Sequence, residues 1–122
     1  MRSSPIHRSQ QSSPASFLES LEARLVFSAA LDLIGVDALR ADPAFAGIDG
    51  SGVSVAVIDT GVDHTHGLIA PGYVGGADIV TGGGFPTPVH EHGTHVAGIV
   101  GARDFDIGVA PDTGIIGLQV FS

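Results

Sequence analysis

Two residues of this chain stand where acid–base chemistry is commonly done. Asp59 closes a β-branched run, Val53-Ser54-Val55-Ala56-Val57-Ile58, and is followed by Thr60-Gly61. In open α/β sheets, ligands and reacting groups gather at the carboxyl ends of strands, which makes Asp59 a candidate site residue. His92 opens the segment His92-Gly93-Thr94-His95-Val96-Ala97-Gly98. At a helix N-terminus the local dipole disfavours the imidazolium, so the ring stays neutral and able to accept a proton. If Asp59 accepts a hydrogen bond from one ring nitrogen, it fixes the tautomer and stabilises the imidazolium formed when the other nitrogen takes a proton. Taken alone, Asp-Thr-Gly after a strand is more often a plain turn, with the aspartate capping backbone amides and the glycine supplying positive φ. The chemical reading therefore rests on the pair, an acid and a base awaiting a nucleophile.

The surrounding residues predict the elements that must position this pair. Gly47-Ile48-Asp49-Gly50-Ser51-Gly52 is a dense turn signal, and the near-continuous apolar run after it predicts a strand covered on both faces, as in a parallel sheet. A second short strand is expected at Ala77 to Val80, and Thr81-Gly82-Gly83-Gly84-Phe85-Pro86-Thr87-Pro88 must be a loop. Beyond Thr94, the residues Val96 to Ala102 are apolar on every side, predicting a central buried helix whose glycines allow close approach. Gly108-Val109-Ala110-Pro111 turns the chain, and Gly114 to Phe121 reads as a further buried strand. The order strand, strand, helix, strand implies a doubly wound α/β fold with a mainly parallel sheet.

Composition divides the chain. Seven of the first twenty residues are serine, with two glutamines and two prolines, a mixture that cannot offset the entropy of ordering. Residues 1–15 are expected to be a disordered arm. Phe17, Leu18, Leu21, Leu25 and Leu31-Leu33-Ile34 then recur near helical spacing, which predicts an amphipathic helix within 16–36, an ordinary packing helix on its pattern alone. The globular part is expected over 37–122, and 17 of the 18 glycines lie from Gly47 onward. With 122 residues, one domain is the ceiling. Thirteen acids against five basic residues give a formal charge of −8, which supports neither nucleic acid nor an anionic membrane as partner. No apolar run approaches the ~20 residues that span a bilayer. Without cysteine, disulfides, thiolate nucleophiles and zinc–thiolate sites are excluded.

Val55-Ala56-Val57-Ile58-Asp59-Thr60-Gly61-Val62-Asp63 and His92-Gly93-Thr94-His95-Val96-Ala97-Gly98 resemble the Asp and His signatures of the subtilisin-like serine proteases, in the right order. Gly50-Ser51-Gly52-Val53 resembles that family's entry to the first strand, and Gly108-Val109-Ala110-Pro111 with Ile115 to Phe121 resembles the segment after its catalytic helix. The resemblance covers about residues 37–122. It implies the N-terminal part of a serine endopeptidase domain acting on polypeptide by acyl transfer, with Asp59 as the orienting acid and His92 as the base. It leaves calcium open as a cofactor without assigning it, and Asp104 and Asp106 read more simply as a solvated turn. Leu21-Glu22-Ala23-Arg24-Leu25-Val26-Phe27-Ser28-Ala29 resembles a short leader near the start of large exported bacterial surface proteins, with Ala23 where proline is frequent. Together these favour a secreted or cell-surface setting.

Departures matter as much. His66 is followed by Gly67 where the family usually has His-Pro, and Glu91 stands where glycine commonly precedes the histidine. No Gly-Thr-Ser-x-Ala segment bearing a nucleophile occurs, nor an oxyanion-hole asparagine, and Ser51, Ser54 and Ser122 do not replace the nucleophile. The 122-residue chain alone is expected to be inactive. A catalytically silent remnant or interaction module is therefore a rival reading. A second rival is a metal site, since His90, His92 and His95 match H-x-H-x-x-H and His64 and His66 lie upstream; Thr94 stands where the metallo-β-lactamase type of motif has aspartate. A third is a dimeric aspartic protease, whose turn Val57-Ile58-Asp59-Thr60-Gly61 matches and whose second motif Ile115-Ile116-Gly117 resembles, although Leu118-Gln119 lacks the arginine and acid that follow.

Overall fold

The computed structural model describes residues 29–122. The arm expected over 1–15 and most of the helix expected over 16–36 lie outside them. Residues 29–33 are helical, and a short helix α1 (Val36–Ala41), not foreseen from the sequence, follows a left-handed Gly35 at φ 81°. Its arginine is what docks it. The Arg40 guanidinium donates to the carbonyl oxygens of Phe105, Gly108 and Val109 at 2.6, 2.7 and 3.1 Å and lies 5.2 Å from the Phe105 ring centre.

Three parallel strands follow, β1 (Ser54–Asp59), β2 (Tyr73–Asp78) and β3 (Gly114–Gln119), in the spatial order β1-β3-β2. Helix α2 (His92–Gly101) connects β2 to β3. The strand expected at Ala77 to Val80 lies instead at Tyr73–Asp78, with an irregularity between Tyr73 and Gly75. Two glycines hide it from a β-propensity reading, yet Gly76 must be bare: a Cβ there would run into the Gly117 carbonyl and the Tyr73 hydroxyl. The residues expected to continue the strand turn away, because the Asp78 carboxylate accepts from the amides of Val80 and Thr81 at 2.9 and 3.1 Å and from the Thr81 hydroxyl at 2.6 Å.

The core is one-sided. Val57, Val62, Ile69, Ala97 and Ile115 form its buried cluster, with Tyr73, Val96 and Val100 packed against it. β3 alternates strictly, burying Ile115, Gly117 and Gln119, while β1 leaves Ser54, Ala56 and Ile58 exposed. Coverage of both faces, expected for β1, is not found. α2 covers one face, and among the described residues no second layer covers the other. For the same reason α2 is not apolar-buried all round; it buries Gly93, Ala97 and Gly101, one stripe four residues apart, and leaves Ile99 exposed. The missing side chains let the helix axis come close. A Cβ on Gly93 would collide with the Gly61 carbonyl, and one on Gly101 would lie 2.6 Å from Thr113 Cγ2.

Candidate active site

The site is assembled where the carboxyl end of β1 meets the amino end of α2. Asp59 is the last residue of β1, and the chain reverses through Thr60 and Gly61, the latter at φ 96°. Glycine suits that conformation, which costs any residue with a Cβ roughly 1–2 kcal/mol. α2 begins at His92, and the close approach at Gly93 brings the two residues together across 33 positions of sequence.

His92 Nδ1 lies 2.8 Å from Asp59 Oδ1 and 2.9 Å from Oδ2. An aspartate is an acceptor only, so Nδ1 carries the proton and the neutral ring is left with an acceptor at Nε2. Asp59 also accepts from the Thr60 amide at 2.6 Å. The hydrogen bond from His92, and after it the one from Thr60, hold the Asp59 carboxyl below the usual carboxylate range. The carboxylate side chain is 16% exposed and the imidazole 61%, so the acid is sheltered and the base faces outward.

Three threonines lock the frame, a role not legible in the sequence. The Thr60 hydroxyl accepts from the Gly93 amide and donates to the His90 carbonyl, both at 3.0 Å. The Thr94 hydroxyl accepts from the Asp63 amide at 2.9 Å, tying α2 to the segment after β1. Asp63 in turn accepts from the Thr65 amide and hydroxyl at 2.8 and 2.6 Å, and the hydroxyl bond leads the causes that lower its pKa.

The histidines divide. His66, His90, His92 and His95 line one cavity of about 750 Å³, floored by Leu68, Ile69 and Ile99. His64 turns away and stacks on Phe85, ring centres 5.2 Å apart, with Tyr73 at 5.5 Å. His66 Nδ1 accepts from the Leu68 amide at 3.3 Å and His90 Nδ1 from the His92 amide at 3.1 Å, so each of these nitrogens is occupied by backbone. Among the described residues no group of three His, Cys, Asp or Glu side chains is arranged to hold a metal ion. For calcium the acids at 104 and 106 do not fit: the Asp104 carboxylate accepts from the Asp106 amide at 3.0 Å in a local turn, whereas a calcium cage needs roughly six to eight oxygens.

Comparison with known proteins bears on the same residues. The family model described as "Subtilase family" matches residues 50–122, which include both Asp59 and His92. Subtilisin DY of Bacillus licheniformis is 38% identical over 92 residues, covering 72% of this chain and 33% of that protein. Thermitase of Thermoactinomyces vulgaris is 36% identical over 90 residues, covering 70% of this chain and 32% of its own. The chain thus spans about a third of the length of these relatives. Among solved structures, a cold-adapted subtilisin-like serine proteinase aligns with a TM-score of 0.57 at 40% identity, covering 63% of this chain and 28% of that one. The parallel sheet with α2 against it is accordingly part of the subtilisin-like α/β fold, and the chain belongs to the subtilase family.

Proposed function

We propose that these residues form the acid–base half of a serine endopeptidase site, Asp59 orienting the ring and His92 acting as general base. The observation that carries the reading is the pair of short contacts from His92 Nδ1 to both Asp59 oxygens, with Nε2 as the remaining ring nitrogen. In that arrangement Nε2 takes the proton of a serine hydroxyl as its oxygen attacks the scissile carbonyl carbon. The imidazolium, stabilised by Asp59, then protonates the leaving amine, and water releases the acyl group by the same route. The serine and the oxyanion donors come from outside these 122 residues, and the substrate is polypeptide. Residues 37–122 belong to this catalytic domain. The leader-like segment Leu21–Ala29 supports an exported or cell-surface setting. A reporter carrying residues 1–36 would then reach the cell exterior, and retention inside would count against export.

The test uses a polypeptide that carries these residues together with the serine. His92→Ala should abolish labelling of that serine by a fluorophosphonate probe; unchanged labelling refutes the general-base role. The 122-residue chain by itself should not digest unfolded casein. Turnover that disappears on Asp59→Ala would reveal a nucleophile within it.

A further inference from the structure

We infer that His90 is a positioning residue for His92, holding the backbone of the base through an acceptor that exists only while the His90 ring is neutral. The inference rests on the reading of His92 as base. It starts from the first turn of α2, whose amides have no partners within the helix. Two of them are met from outside. Gly93 donates to Thr60 Oγ1 at 3.0 Å, and His92 donates to His90 Nδ1 at 3.1 Å. Glu91, which occupies the capping position, makes no side-chain capping bond. The cap comes instead from one residue earlier, an imidazole nitrogen reaching the amide two positions on, where an asparagine or aspartate oxygen sits in an Asx turn.

This placement dictates a tautomer. Because Nδ1 accepts, the neutral His90 ring carries its proton on Nε2; protonation makes both nitrogens donors and leaves no acceptor. The amide of His92 then loses this acceptor while its ring is still required at Asp59. The Thr60 hydroxyl, bonded to both the His90 carbonyl and the Gly93 amide, transmits any shift of residue 90 to the turn that carries Asp59. The titratable residues that share the cavity with His90 are Asp63 and His66 from the segment after β1, and Glu91, His92 and His95 from α2 and its approach. Asp59 stands behind His92. Substitution at 90 leaves all six in place, so a change in pH response reads His90 itself.

Nuclear magnetic resonance on the 122-residue chain decides the matter. Long-range nitrogen–proton correlations should show the neutral His90 ring protonated at Nε2, and the His92 amide signal should move as that ring gains its proton. In His90→Asn, whose side-chain oxygen accepts without titrating, the His92 amide should hold its hydrogen-bonded shift across the same pH range. In His90→Ala it should sit at the unbonded shift at every pH. An Nδ1-protonated ring, or a His92 amide that titrates identically in wild type and His90→Asn, overturns the inference; the Asn variant keeps the test decisive if the Ala variant unfolds. In a polypeptide with the complete triad, His90→Ala should lower kcat more than it raises KM, and His90→Asn, which keeps an acceptor, should restore kcat. An equal loss of kcat in both variants overturns the inference. Absence of any turnover beside the expected amide behaviour would instead refute the peptidase reading and leave the hydrogen bond intact.

Discussion

At the scale of single residues, the Asp59–His92 contact has a consequence for stability that does not depend on catalysis. The Asp59 carboxyl is held below its ordinary range by the hydrogen bond to His92 and then by the Thr60 amide. A carboxylate depressed in the folded state stabilises the fold at pH above its unfolded value of ~3.9 and loses that contribution as pH falls through the folded value. Asp63 and Asp78 are depressed in the same way by Thr65 and Thr81, so acid should destabilise the chain in several places. Asp59→Asn removes one share of that dependence. Urea midpoints measured at about pH 5 and about pH 3 should lie closer together in the variant than in wild type. A gap of undiminished size would mean that the pair seen here does not persist in solution. The pair itself was legible in the sequence, since each residue sits at the boundary of a strongly patterned run. Thr60, Thr94 and His90 were not, because a threonine or histidine looks the same in the sequence whether or not the fold brings an amide 2 to 33 positions away within reach.

At the scale of elements, the position of α2 against the turn after β1 depends on what its glycines omit. Gly93 is buried against the Gly61 carbonyl and lies 3.2 Å, measured from an added Cβ, from Asp59 Cβ. Gly98, on the same helix, has nothing within 4 Å of an added Cβ. The two make a controlled pair. Alanine is intrinsically preferred over glycine in a helix by about 1 kcal/mol, so Gly98→Ala should stabilise the chain by up to that amount. Gly93→Ala gains the same propensity but forces a backbone collision, and overpacking of about 1–3 kcal/mol should outweigh it. Thermal or urea midpoints would move in opposite directions; a Gly93→Ala chain as stable as Gly98→Ala would show that α2 does not sit this close. β1, α2 and β3 were readable because long apolar runs leave little choice of element. β2 lies earlier than the propensities of its residues suggest, since Gly76 is required by packing against β3 and neither it nor Gly75 carries a strand signal of its own. Burial of β1 on both faces was also misjudged, because a continuous apolar run records the environment a strand is suited to, not the layer present beside it.

At the scale of the whole molecule, two opposing features meet on the face of the sheet away from α2. Ala56 and Ile58 from β1 lie beside Ile116 and Leu118 from β3 in register, and Val74 from β2 extends the same surface. Ile58 and Val74 are each 62% exposed, and no described segment covers them. An apolar sheet face of this kind, bounded by β1 and β2 as edge strands, favours association with whatever apolar surface it meets. Against that stands a formal charge of −8, which keeps copies apart over distances comparable with the Debye length, about 10 Å at 0.1 M salt. Salt should therefore decide the balance. In sedimentation velocity the chain should remain near its 12.3 kDa monomer at low ionic strength and grow heavier as salt is added, because screening removes the repulsion and leaves apolar attraction intact. Ile58→Lys combined with Val74→Lys places two charges on that face without touching the side that packs on α2, and should hold the chain monomeric at salt where wild type associates. Association that persists unchanged in the double variant would locate the adhesive surface elsewhere, on Phe85 or Phe105, both also exposed.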